Sequence, residues 1–136
     1  MKMIAQRLPS KLENVAPFIR EVLVLMKKFH LSEEDTFHIK LSLEEALTNA
    51  MRHGNKLDPS LFVDVNLEVD EQKVVMKIRD QGDGFDEARL GDPTALENSQ
   101  KPGGRGVFLI RQLMNEVEYF DGGRGVKMVK LTARKA

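Results

Sequence analysis

A chain of 136 residues with 41% hydrophobic side chains has the size of one domain built on one core. Its 21 Lys plus Arg balance 21 Asp plus Glu, so no surplus positive charge exists to hold a nucleic-acid backbone or an anionic membrane, and direct binding to either is not expected. The absence of cysteine excludes disulfides, thiolate metal sites and a cysteine nucleophile, and no apolar run has the length of a signal sequence or a membrane span, so a soluble cytoplasmic protein is expected.

In chain order, residues 3–8 suit an edge strand. A helical pattern follows in which Val15, Phe18, Ile19, Val22 and Met26 share one face. Pro17 fits a first turn capped by Asn14 and would clash inside a helix begun at Ser10. A second helix opens at Ser32, where Ser-Glu-Glu-Asp approximates a capping box, and runs to about His53 before Gly54 stops it, with Ile39, Leu43, Ala46, Leu47 and Ala50 as its buried stripe. Residues 61–69 and 73–79 alternate apolar and polar side chains, apart from Phe62, as the two strands of a hairpin do. From Gly82 to Gly106 glycine and proline accumulate and apolar residues thin out, which predicts a functional, mobile loop with at most one short helical turn. Residues 107–114 form a predicted third helix, and 116–120 with 126–133 a second hairpin closed by Gly122, Gly123 and Gly125. The order β-α-α-β-β-α-β-β predicts a two-layer α/β sandwich, a mainly antiparallel mixed sheet covered by helices on one face, as a single domain over 1–136.

Three short motifs carry chemistry, each open to a plainer explanation. Glu45 and Asn49 stand one helical turn apart at the edge of the buried stripe; they are either a solvated flank or a site. In the second case Asn49 is a neutral oxygen ligand suited to Mg²⁺, and Glu45 could accept a proton from an attacking hydroxyl. Asp80-Gln81-Gly82-Asp83-Gly84-Phe85 follows an apolar strand and is either an acidic turn or a carboxylate facing an exocyclic amino group such as that of adenine. In the latter, Gly82 and Gly84 let the backbone approach the base. Pro102-Gly103-Gly104-Arg105-Gly106 leads into the third helix, as a lid hinge or as a phosphate site built on the helix's unpaired first amides. The spacing is neither that of a Walker loop nor that of a Rossmann fingerprint. His30 and His38 are expected at or near the surface, and no histidine spacing suits a helical metal site.

Taken together, these pieces resemble the GHKL ATPases, and the stretch from Glu45 to Asn55, EALTNAMRHGN, is similar to the N-box of anti-sigma-factor serine kinases. The resemblance covers nearly the whole chain and implies a Bergerat-type ATP site. Asn49 would be the magnesium ligand, Glu45 the catalytic base, Asp80 the partner of the adenine amino group, Gly104 and Gly106 would lie under the phosphates, and 91–103 would be the ATP lid. His53, Gly82, Gly84, Phe85, Gly103, Arg105 and Val107 complete the nucleotide-binding residues it implies. It further implies phosphorylation of a serine on a STAS-domain anti-anti-sigma partner, sequestration of a sigma factor, and a homodimer, with Arg20 of the first helix as a partner contact. Two departures are visible: Gly125-Val126-Lys127 stands where a threonine near the adenine is common in the family, and Arg105 and Val107 stand where apolar residues and leucine are common. The alternative function is a nucleotide-dependent binding module that sequesters its partner without catalysis; retention of Glu45 favours the enzyme. The helical pair with a phosphoacceptor histidine that a sensor histidine kinase core would need is not expected, because no histidine precedes His30.

Overall fold

The computed structural model describes residues 1–83 and 104–132, without the side chains of 104–108. The elements are β1 (Lys2–Pro9), α1 (Val15–Lys28), α2 (Glu33–Asn49), β2 (Phe62–Val69), β3 (Lys73–Arg79), α3 (Gly104–Leu113), β4 (Glu116–Phe120) and β5 (Gly125–Leu131). The sheet runs in the order β1-β2-β3-β5-β4. The sheet is antiparallel, as mainly expected, and all four ladders among the described residues are so, with no parallel pair among them to make it mixed. The fold class is otherwise the predicted one.

Alternation along the strands sorts the sheet's two faces. Val63, Val65, Leu67 and Val69 of β2, Val74, Met76 and Ile78 of β3, and Val126 and Met128 of β5 join the core with the helices. Between them, Lys73, Lys77 and Arg79 point to solvent. Phe62, the residue out of phase, is half-buried at the start of β2. The β2–β3 turn is fixed locally, since Asp70 Oδ1 accepts from the backbone N–H groups of Gln72 (2.7 Å) and Lys73 (2.9 Å).

Helix α1 buries the predicted stripe, with Leu25 added. A 3₁₀ turn at Leu12–Asn14 precedes it, so Pro17 falls in the first turn, where no intrahelical donor is needed. Asn14 occupies the capping position but does not cap; its Nδ2 donates to the Pro9 carbonyl (2.9 Å) and ties the helix start to the end of β1. The helix ends in a Schellman motif: Leu31 N–H reaches Met26 O (3.2 Å) and His30 N–H reaches Lys27 O (3.0 Å). His30 sits there at φ 60°, a conformation that favours glycine, and its side chain is exposed. His30→Gly is therefore expected to stabilise the domain by about 0.5–1 kcal/mol, the relief of left-handed strain outweighing the added freedom of the unfolded chain. A urea midpoint at or below that of the wild type would refute this.

Helix α2 starts as predicted, with Ser32 Oγ accepting from Asp35 N–H (3.1 Å) and three acidic residues in the first turn facing the positive end of the helix dipole. Its buried residues Ile39, Leu43 and Leu47 are fully enclosed, each contributing about 1.5–3 kcal/mol of hydrophobic stabilisation. The helix does not simply stop at Gly54. From Ala50 to Gly54 it widens into a π turn, in which Asn55 N–H bonds Ala50 O (2.8 Å).

Helix α3 packs against α2 and begins about one turn before the predicted start. Its far end is held by Lys130, whose Nζ donates to the Leu113 carbonyl (2.7 Å) and lies 3.0 Å from His38 Nδ1 on α2. The β4–β5 hairpin turns through three residues with positive φ, Asp121 (53°), Gly122 (63°) and Gly123 (87°), so the predicted glycine turn chemistry applies. No described helix is long and apolar enough to cross a membrane.

Candidate nucleotide site

The inward phase of β3 passes through Val74, Met76 and Ile78 and continues to Asp80, so the same alternation that buries the strand turns this carboxylate toward the helix layer. Asp80 is 8% exposed. Its Oδ1 accepts from Gly82 N–H (2.8 Å), and Oδ2 has no hydrogen-bond partner among the described residues. Burial raises the Asp80 pKa above the usual carboxylate value, opposed by the Gly82 amide and by the charges of Arg124 and Arg79, and reinforced by Asp121.

The π turn supplies the opposing wall. A Cβ on Gly54 would fall within the Asp80 carboxylate, and a Cβ on Gly82 would overlap the Gly54 carbonyl, so both glycines are required for this close approach. Arg124, from the β4–β5 turn, closes a third side: its Nε donates to Gly82 O (2.7 Å) and its carbonyl accepts from Asp80 N–H (2.9 Å).

Glu45 and Asn49 lie on the last turns of α2, both half-buried, and the side chain of neither has a hydrogen-bond or ion-pair partner among the described residues. Their neighbour Thr48 is satisfied internally, through the Glu44 and Glu45 carbonyls at 2.9 and 3.2 Å. A half-buried amide oxygen without a protein partner, as on Asn49, suits a Mg²⁺ ion that would keep waters and nucleotide phosphates as its other ligands, and the unpartnered Glu45 carboxylate one turn away is left to take up a proton. The described residues contain no cluster of three His, Asp or Glu that could form an all-protein cage.

The structure thus brings Asp80 and Gly82 against the end of the helix that carries Glu45 and Asn49. His53 is exposed on the π turn, and no hydrogen bond links it to Asp80. Gly104 and Gly106 lie in the first turn of α3, where backbone amides have no intrahelical partners. Gly84, Phe85, Gly103 and the expected lid at 91–103 lie outside the described residues, as do the side chains of Arg105 and Val107. Arg20 is exposed on α1 and takes no part in this cluster. Val126, in place of threonine, is buried on the inner face of β5 opposite Ile78.

Three residues had no role assigned from sequence. Asn55, Gln81 and Arg124 hold the Asp80 loop, and a signal existed only for the first: a polar residue directly after a helix-ending glycine, inside the N-box stretch.

The histidine kinase-like ATPase domain family matches residues 8–130 of the chain. The serine-protein kinase RsbW of Bacillus licheniformis is 32% identical over 139 residues, covering 97% of this chain and 87% of that protein. RsbW of Staphylococcus epidermidis is 30% identical over 135 residues (93% and 85%), as is RsbW of Staphylococcus aureus strain MSSA476. With an ATPase-family match from β1 to β5 and relatives aligned almost end to end, the chain belongs to the histidine kinase-like ATPase family, among its RsbW-type serine-protein kinases.

Proposed function

We propose that this protein is an ATP-dependent serine kinase and anti-sigma factor, which phosphorylates a serine of a STAS-domain anti-anti-sigma partner and sequesters a sigma factor. The observation that carries the reading is the Asp80 carboxylate: buried at a strand end, with one oxygen committed to Gly82 and the other free, facing the helix that bears Glu45 and Asn49. A free carboxylate oxygen in such a cleft accepts a hydrogen bond from the 6-amino group of adenine. The first amides of α3 suit the phosphates, with Gly104 and Gly106 permitting close approach. His53, Gly82, Gly84, Phe85, Gly103, Arg105 and Val107 line the rest of the nucleotide site in this reading, and 91–103 form its lid.

In the transfer step the serine hydroxyl oxygen of the partner forms a bond to the γ-phosphorus. The bond between that phosphorus and the β,γ-bridging oxygen breaks, ADP leaves, and the hydroxyl proton passes to the Glu45 carboxylate. Asn49 would hold magnesium together with the phosphates, and the ion would supply neutralisation of phosphate charge. Arg20, exposed and free of the site, serves as a contact for the protein partner. The active form in this reading is a cytoplasmic homodimer.

The reading is tested by incubating the purified protein with γ-labelled ATP, magnesium and each STAS-domain protein of the source cell. Label is expected on one serine of one of them. Tight nucleotide-dependent binding of a STAS or sigma protein with no label transferred would instead establish a sequestering module without catalysis.

A further inference from the structure

Asn55 is 2% exposed, yet every polar atom of its side chain is used. Oδ1 accepts from Gln81 N–H (2.8 Å), while Nδ2 donates to Ser10 Oγ (2.7 Å) and to Phe62 O (3.0 Å). These partners fix the amide's orientation, because the Gln81 N–H requires an acceptor where the Phe62 carbonyl requires a donor. Gln81 is bracketed from its other end, since its Oε1 accepts from Phe62 N–H (2.6 Å). Ser10 in turn donates through its own Oγ to Leu61 O (3.0 Å). One buried side chain therefore binds the π turn of α2, the end of β1, the start of β2 and the residue directly after Asp80.

The place of that last bond matters. Asp80 and Gly82 flank Gln81, and they are the two groups that approach Gly54 so closely that neither glycine can carry a Cβ. Asn55 directly follows Gly54, so a single hydrogen bond sets both sides of the contact. Arg124 holds the loop at the Gly82 carbonyl (2.7 Å), but from a hairpin tip whose own position depends on a turn of left-handed residues. The tether from the helix side is the more enclosed of the two.

We infer that Asn55 is a positioning residue for nucleotide selectivity: by holding Gln81 N–H it aims the free Asp80 oxygen at the 6-amino group of the purine. This rests on the reading that Asp80 receives that amino group. A residue that merely supported the fold would weaken all nucleotides alike, whereas loss of aim penalises only a ligand that uses the carboxylate.

The test compares the affinity for ATP with that for purine riboside 5′-triphosphate, which lacks the 6-amino group. The wild type is expected to prefer ATP by about tenfold or more, the worth of a hydrogen bond to a charged acceptor. Asn55→Ala should reduce that preference to about threefold or less by weakening ATP and leaving the analogue nearly unchanged. Asn55→Leu, which fills the same space without polar atoms, should do the same and serves if the alanine variant does not fold. Ser10→Ala removes the remote limb of the network but leaves the Gln81 tether, so it should lower stability and keep the preference. Equal weakening of both nucleotides by the Asn55 variants would overturn the inference. Asp80→Asn separates the two levels. If it leaves the preference intact, the assignment of Asp80 itself is wrong; if it abolishes the preference and Asn55→Ala does not, only the positioning role falls.

Discussion

Replacing Glu45 by glutamine is expected to leave magnesium–ATP affinity close to that of the wild type and to lower phosphorylation of the serine partner by about a hundredfold or more. The amide keeps the length and shape of the side chain but cannot take up the serine proton. The structure supports reading such a result as chemistry: Glu45 is half-buried at the end of α2 without a hydrogen-bond or ion-pair partner among the described residues, so the change breaks no structural interaction there. Asn49→Ala supplies the contrast, because removing the proposed magnesium ligand should weaken both metal-dependent nucleotide binding and transfer. The measurements are nucleotide affinity by calorimetry and single-turnover transfer to one STAS partner. Transfer by Glu45→Gln at the wild-type rate would remove Glu45 from the role of base.

Asp80→Asn should weaken ATP binding by about 2 kcal/mol, or roughly thirtyfold, without unfolding the domain. The geometry sets the direction. The Gly82 N–H needs an acceptor, so the asparagine oxygen must take the place of Oδ1, leaving the amide nitrogen where the free Oδ2 stood. A donor then faces the donor of the adenine amino group. Unchanged ATP affinity in the folded mutant would place the base elsewhere.

The raised pKa of Asp80 adds a pH signature to the same site. Because the folded pKa lies above the unfolded value, the native state binds the proton more readily, and stability of the empty protein falls as pH rises through that window. ATP binding runs the other way, since the amino group needs the ionised carboxylate. Acidification should therefore release nucleotide at a higher pH than an ordinary aspartate would, and Asp80→Asn should flatten this part of the profile. At neutral pH the empty mutant, relieved of a buried charge, should be at least as stable as the wild type.

What could be read in the chain itself were properties that repeat or that lie close together in sequence. The stripe of α1, the Ser32 cap, the hairpin from β2 to β3 and the glycine turn before β5 each arise from neighbours within a few residues, where periodicity and turn chemistry act. The motifs were legible for the same reason: Glu45 and Asn49 are one turn apart, and Asp80 ends an alternating strand. The pairing of β5 between β3 and β4 gives no local signal. The α3 start was displaced because glycines read as loop, whereas the helix, which packs against α2, includes Gly104 and Gly106. Only the tertiary structure decided that α2 would widen into a π turn and bring Gly54 against Asp80, and that Asn55 would join Ser10, Phe62 and Gln81 while Arg124 reached Gly82. Those bonds span up to 45 residues of chain. An asparagine or arginine has the same donors and acceptors wherever it stands, and only burial, which the fold creates, obliges each of them to find a partner.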